Sequence, residues 1–192
     1  MSAERPIVIG DTEGSHVTQQ DHHAEIARSI DLQLSDNENI SDIRYAPGGG
    51  SYETWYATML SAIALIAAGE KVVYAYTNDE FSAPHVRIVV FTTSLVLVSD
   101  VDIPADTVPV VHAVARRSLT ALHLSASERI DSRDHRSRTW PGVLNLVLTY
   151  DGLADPIEIV TKGYNRYGLD IPAAVATLLD GLRADLAGSA TW

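Results

Sequence analysis

Two histidines, His112 and His123, are the residues of this sequence best suited to chemistry. Histidine titrates near neutral pH and ligates metals, so a facing pair can share a proton, a water molecule or an ion. A two-residue turn at Arg117 and Ser118 would place them directly opposite each other on neighbouring strands. A half-buried structural pair is the commoner form of such a contact, and a slip of one residue in the register would separate the side chains.

A second candidate is a cluster of arginines between residues 116 and 138, where the local charge is +3 although the whole chain carries −11. Arginine pairs with carboxylates through two parallel hydrogen bonds, which favours an anion-binding or protein-docking loop. The simpler interpretation is a solvated loop whose own ion pairs contribute little. The candidate binding residues are Arg116, Arg117, Arg129, Arg133, Arg136 and Arg138.

No catalytic residue, metal site or cofactor is predicted, because the sequence lacks the motifs that carry them. The GGG at 48–50 follows no convincing strand, so it does not read as a phosphate-binding loop. Asp21, His22, His23 and Glu25 resemble a metal set on paper, but adjacent residues on a helix point about 100° apart. An enzyme is therefore the less favoured interpretation.

Composition excludes several classes of partner. A net charge of −11 disfavours nucleic acid and anionic membranes, since phosphate recognition needs a basic surface. The absence of cysteine excludes disulfides and thiol catalysis, and leaves the cytoplasm as the expected location. The start of the chain does not read as a signal peptide, and the apolar run at 57–68 is shorter than the roughly 20 residues that cross a bilayer. The expected partner is another protein or a second copy.

The first third of the chain predicts two helices. Apolar residues recur at helical spacing over 19–34, and a second helix is predicted from Ser51, as N-cap, to Gly69. This second helix is apolar on more than one side, so it should lie between two packed surfaces or at a subunit contact. The predicted interface residues are Trp55, Tyr56, Met59 and Leu60.

After Gly69 the hydrophobic period changes to two, which predicts strands. Thr92, Thr93 and Ser94 interrupt the apolar stretch VRIVVFTTSLVLVSD at 86–100 and should reverse the chain between two strands. The predicted strands are Lys71 to Asn78, Val86 to Phe91, Leu95 to Asp100, Val108 to Ala115, Ser118 to Ala126, Val143 to Tyr150 and Ile157 to Val160.

The chain ends in a predicted amphipathic helix whose apolar stripe should seat on the sheet. Its burial is worth on the order of 10 kcal/mol gross. The stripe consists of Ile171, Val175, Leu178, Leu179, Leu182 and Leu186.

This order of elements resembles the bacterial pleckstrin-homology-like (PH-like) family. GEKVVYAY at 69–76, IVVFTTSLVLVSD at 88–100 and LNLVLTYDGLADPIEI at 144–159 are similar to its first strand, an early hairpin and a late hairpin. The resemblance implies an α+β fold: a seven-stranded antiparallel partial barrel closed by a C-terminal helix, here preceded by two N-terminal helices. The expected division is a flexible arm at 1–18, a helical segment at 19–69, the barrel with its helix at 70–187 and a tail at 188–192.

The resemblance also raises function. Many PH domains bind phosphoinositides through basic residues after the first strand, but Asp79 and Glu80 stand there in this chain, so that activity is not expected to transfer. The preferred hypothesis is a noncatalytic protein-interaction or self-assembly module. The alternative is a small-molecule-binding protein or lyase/isomerase-type enzyme on an NTF2-like cone barrel, with His112, His123 or Asn145 in an enclosed pocket.

Overall fold

The computed structural model of this protein describes residues 19–34, 44–45, 51–78, 85–103, 108–126, 143–161 and 171–189. Its helices are α1 (Gln19–Leu34), α2 (Thr54–Ala67) and α3 (Ile171–Ser189), and a short 3₁₀ turn occupies Arg116–Ser118. The strands are β1 (Val72–Thr77), β2 (His85–Thr92), β3 (Leu95–Asp102), β4 (Val111–Ala115), β5 (Leu119–Ala126), β6 (Leu144–Tyr150) and β7 (Ile157–Val160).

The seven strands form two antiparallel sheets. The first sheet has the order β1-β2-β3-β4 and the second has the order β5-β6-β7. Within the described residues β4 and β5 are not paired, so the barrel is partial. Two helices precede the sheets and one follows them, which confirms the predicted fold class.

The β2–β3 hairpin confirms the predicted reversal at residues 92–94, because Phe91 lies opposite Val96. Ile88 to Thr92 and Val96 to Ser99 are buried without interruption. A continuous apolar run of this kind is what a strand needs when both faces of its sheet are covered.

Two layers cover the first sheet. On one face, Ile88 and Val90 pack with Ile30 of α1 and with Tyr56 and Met59 of α2. The opposite face, which includes Val89, Phe91, Val96 and Val98, packs on the second sheet and α3. The N-terminal helices therefore share a core with the barrel. They lie on the face of the first sheet away from the second sheet, and not inside a cone as the alternative fold predicts.

The C-terminal helix α3 is seated as predicted for five of its six stripe residues, and the side chain of Ile171 lies outside the described part of the helix. Val175, Leu178, Leu179 and Leu182 are buried in the core between the sheets, and Leu186 packs at its margin. Because α3 runs to Ser189, it extends past the boundary expected at 187. The predicted arm at 1–18 and residues 190–192 lie outside the described residues.

The ends of α2 differ in how well the sequence predicted them. Ser51 is not the N-cap: Glu53 takes that position and makes no side-chain capping bond. At the other end Ala68 adopts a left-handed conformation and Gly69 has a φ of 94°. A positive φ costs glycine little, which explains why the helix stops there.

Glu70 fastens the start of β1 to the β2–β3 turn. Its carboxylate accepts hydrogen bonds from the Ser94 backbone N–H at 2.9 Å, from the Thr93 hydroxyl at 3.1 Å and from the Thr92 and Ser94 hydroxyls. Burial raises the pKa of Glu70, but these hydrogen bonds outweigh it and lower the pKa to about 2. Two of the motifs that resemble the PH-like family thus meet in space.

Candidate functional site

The structure separates His112 from His123. His112 lies on β4 opposite Val98, whereas His123 lies on β5 opposite Val147, and the two strands belong to different sheets. The predicted cross-strand pair is therefore wrong. The reason is that the 3₁₀ turn carries the chain from one sheet to the other: the Arg116 N–H donates to the Ser94 carbonyl, and the Ser118 carbonyl accepts from the Asp151 N–H.

The same residues do not form the pocket that the enzyme alternative requires. His112, His123 and Asn145 are all exposed. The inner side of the second sheet is instead occupied by aliphatic side chains such as Leu146 and Leu148, which pack against the first sheet. The described geometry gives these polar side chains no enclosed site.

Arg116 is a structural residue, which corrects its predicted role in binding anions. It is buried, and its guanidinium contacts Asp185 of α3 at 2.9 Å through Nε and 2.8 Å through Nη2. Its Nη1 donates to the Thr92 carbonyl at 3.0 Å. A Cβ at Gly181 would overlap the guanidinium, so a larger residue there would have to displace Arg116 from its partners. Arg116 thus joins α3 to the β2–β3 turn.

The rest of the arginine cluster is only partly described. Arg117 is exposed on the 3₁₀ turn beside the buried Arg116. Arg129, Arg133, Arg136 and Arg138 lie outside the described residues. Their role in binding stays a prediction.

The four predicted interface residues, Trp55, Tyr56, Met59 and Leu60, are core residues. All are buried within the chain, facing α1 and the first sheet. Their prediction as partner contacts is corrected: they form one buried face that packs on α1 and the first sheet. The other side of the helix is exposed, so the helix does not lie between two packed surfaces as the alternative interpretation expected. The four residues fall on two apolar stripes, one through Trp55 and Met59 and one through Tyr56 and Leu60. The stripes start one residue apart, which turns a helix by about 100°, so they adjoin and form one wide buried face.

The remaining side of α2 is an uncharged surface that the sequence analysis missed. Leu65 is 63% exposed and Ile66 is 36% exposed. The Ser61 hydroxyl donates to the Ala57 carbonyl at 2.8 Å, so its donor is satisfied inside the helix. The sequence feature that could have indicated this surface is the absence of any charged residue in the helix, TWYATMLSAIALIA. We call this side the α2 surface: Thr54, Thr58, Ser61, Ala62, Leu65 and Ile66.

A buried polar network holds α1 and α2 together. The Asp31 carboxylate accepts from Arg44 at 2.8 Å, from the Tyr52 hydroxyl at 2.8 Å and from the Tyr56 hydroxyl at 3.0 Å. Burial and the hydrogen bond to Asp31 raise the pKa of Tyr52 to about 12. Tyr45 stacks on Tyr52 with ring centroids 5.3 Å apart. The network positions the N-terminal end of α2 on α1.

A charged cluster on β2 and β3 was also missed. His85 contacts Asp102 through Nδ1 at 3.0 Å and Asp100 through Nε2 at 3.2 Å. The hydrogen bond to Asp102 raises the pKa of His85; partial burial opposes it, and Asp100 adds to the increase. Arg87 pairs with Asp100 at 2.9 Å and donates to the carbonyl of Pro156, the residue before β7. Within the described residues no three His, Asp or Glu side chains are grouped to hold a metal ion.

Comparison with known proteins finds similar chains among the solved structures. No family model matches this chain, and no curated protein matches it. A DUF1696 family protein with a pleckstrin-homology domain from Shewanella loihica PV-4 is similar at 14% identity and a TM-score of 0.39, over 65% of this chain and 91% of that chain. A pleckstrin homology domain from Shewanella amazonensis SB2B is similar at 12% identity and a TM-score of 0.36, over 72% and 93%.

Both are bacterial pleckstrin-homology proteins. They are of the kind that the sequence resembled. The PH-like arrangement rests on the order of the strands and the closing helix described above. None of the helices in the described ranges is long and apolar enough to span a membrane.

Proposed function

We propose that this protein is a noncatalytic self-assembly module of PH-like fold, in which the α2 surface binds the α2 surface of a second copy. The observation that supports the proposal is an exposed helix side that carries no charge and presents two aliphatic side chains, Leu65 and Ile66, to water. We place the protein in the cytoplasm, as its composition favours.

Charge is the first argument for a second copy as the occupant. Charged residues make up 20% of the chain and leave it at −11, so two copies repel each other over most of their surfaces. The 14 residues of α2 contain no charge. In a twofold contact the same patch meets itself, and an uncharged patch can do so without opposing like charges.

Packing is the second argument. Ser61 and Ala62 are small and Thr58 is of moderate size, so a second helix can approach closely along this side. Leu65 and Ile66 would then lose water-exposed area, which is worth about 1 to 2 kcal/mol for each side chain given their partial exposure. Because association also costs translational and rotational freedom, only a weak dimer is expected.

The test is a matched pair of leucines on the two N-terminal helices. Leu65 of α2 is 63% exposed and Leu32 of α1 is 58% exposed, so Leu65→Glu and Leu32→Glu add the same charge at similar depth. Sedimentation equilibrium of the full chain should show a lower average mass for Leu65→Glu and an unchanged mass for Leu32→Glu. A wild-type chain that stays monomeric at about 100 µM, or two variants with equal masses, would refute the α2 contact.

A further inference from the structure

The four outermost strands of the two sheets differ in how their free edges are treated. Natural sheets protect such edges with charge, proline, short strands or covering groups, because exposed backbone N–H and C=O groups pair with other chains. In β1 the Ala75 N–H donates to Gln33 of α1 at 2.9 Å. In β7 the Val160 N–H donates to the Tyr76 hydroxyl at 3.3 Å, and Glu158 adds a charge. The β4 strand has only five residues.

The β5 strand has none of these protections in the described part of the chain. It is eight residues long, LTALHLSA, without charge or proline, and its one irregularity lies between Leu119 and Ala121. The contact of Arg116 with Asp185 holds α3 at the start of β5, and burial falls from Leu119 to the exposed last four residues.

The register shows which backbone groups of β5 point outward. Leu144 of β6 bonds toward β7, because its carbonyl accepts from the Thr161 N–H and its N–H donates to the Thr161 hydroxyl. Backbone direction alternates along an antiparallel strand, so Asn145 and Val147 bond toward β5. Their partners are Ser125 and His123. Leu124 lies between these two partners, and Leu122 and Ala126 flank them. The backbone N–H and C=O groups of these three residues therefore point away from β6. We call Leu122, Leu124 and Ala126 the β5 edge.

Leu124 marks the centre of this edge. It lies opposite Leu146, on the core side of the second sheet, yet it is 46% exposed because no strand lies beyond β5 in the described residues. A neighbouring strand there would cover its side chain and pair its backbone.

We propose that the β5 edge pairs antiparallel with the β5 edge of a second copy, joining two three-stranded sheets into one of six strands. The edge is self-complementary: with Leu124 opposite its own copy, each Leu122 faces an Ala126, and no charged side chain of the strand meets its like. The pairing is independent of the α2 contact, since β5 lies in the second sheet and α2 packs on the far face of the first. A chain with both contacts forms linear arrays.

Amide hydrogen exchange on the full-length wild-type chain tests the pairing directly. Exchange at Leu124 and Ala126 should slow by about three- to sevenfold between 10 µM and 500 µM protein, because their N–H groups gain partners only in the pair and the unpaired fraction falls at most with the square root of concentration. Exchange at His123 and Ser125 should be slow at both concentrations, because β6 already holds them. Concentration-independent exchange at Leu124 and Ala126 would overturn the pairing.

Substitution gives a second test with a matched control. Val160 is 44% exposed on β7, the opposite edge strand of the same sheet. Val160→Lys therefore adds the same charge at similar exposure and serves as the control for Leu124→Lys. Both are made in the Leu65→Glu background, which removes the α2 contact. The background and its Val160→Lys derivative should be dimers, and Leu124→Lys should raise the dimer Kd by at least about tenfold. If the Leu65→Glu protein is a monomer, the β5 pairing is refuted. If its average mass equals that of the wild type, only the α2 contact is refuted.

Discussion

Two buried arginines, Arg44 and Arg116, stabilise the helices that cover the sheets, but the central residue of the hydrogen-bond network differs between the two sites. In the α1–α2 network the carboxylate is the centre, since Asp31 accepts bonds from Arg44, Tyr52 and Tyr56. In the α3 clamp the guanidinium is the centre, since Arg116 donates to Asp185 and to the Thr92 carbonyl. The residue that bonds to several groups should matter more than any one of its partners.

The largest effect is expected from Asp31→Ala. The substitution removes the acceptor of one guanidinium and two hydroxyls in a buried site, and loss of one partner of a buried ion pair costs about 3 to 5 kcal/mol. Arg44→Ala should cost less, about 2 kcal/mol, because the tyrosine hydroxyls still bond to the carboxylate. Urea denaturation measures both, and equal losses would contradict a carboxylate-centred network.

In the α3 clamp the order should be reversed. Arg116→Ala leaves the Thr92 carbonyl without its donor and should cost about 3 kcal/mol. Asp185 is one-fifth exposed, and Asp185→Ala leaves the arginine its bond to Thr92, so a loss of about 1 to 2 kcal/mol is expected. Matching losses in the same denaturation experiment would show that the clamp is a simple pair.

Two glycines of α3 sharpen the description of the clamp. A Cβ at Gly181 would meet the Arg116 guanidinium, whereas one at Gly188 meets nothing within 4 Å. Gly181→Ala should therefore destabilise by about 1 to 2 kcal/mol, and Gly188→Ala should be neutral or stabilising by a few tenths, as alanine usually is in a helix. In the double variant, Arg116→Ala should relieve the clash that Gly181→Ala creates. If the losses in unfolding free energy of the two single variants simply add in the double variant, the overlap is contradicted.

A modest effect is also expected at Glu70, whose carboxylate is bound by hydroxyls and a backbone N–H and not by an arginine. Glu70→Gln should cost about 1 to 2 kcal/mol at neutral pH, since the bonds of Ser94, Thr92 and Thr93 lose their charged acceptor. The folded pKa is about 2, below the ordinary 4.5, so the contribution is present above pH 4.5 and is lost as the pH falls toward 2. Midpoints of urea unfolding for the two proteins should converge over that range; a constant difference would contradict the assigned role.

Local pattern predicted much of the fold, and non-local pairing explains what it missed. The α3 stripe and the β2–β3 reversal are each written within about 20 consecutive residues, and both were confirmed. The meeting of Arg116 with Asp185 joins positions 69 residues apart, and no periodicity signals it. His112 and His123 failed for a related reason: a tight turn predicts a hairpin, but three residues of 3₁₀ turn sufficed to change sheets.

The candidate surfaces were partly predictable. The sequence indicates correctly that α2 is unusually apolar. Its two apolar stripes adjoin and do not face opposite directions, so the residues predicted as partner contacts are buried within the chain. The absence of charge in α2 was visible in the sequence. The β5 edge was not, because which strands end a sheet is decided by the order of pairing.

The double coverage of the first sheet has a consequence for biosynthesis. The helices that cover one face precede β1 to β4 along the chain, whereas the strands and helix that cover the other face follow them. During translation the side of the sheet that bears Phe91 and Val96 must wait for later residues before it is shielded from water. Nascent chains arrested shortly after β4 should therefore bind chaperones or aggregate, whereas chains extended through α3 should not.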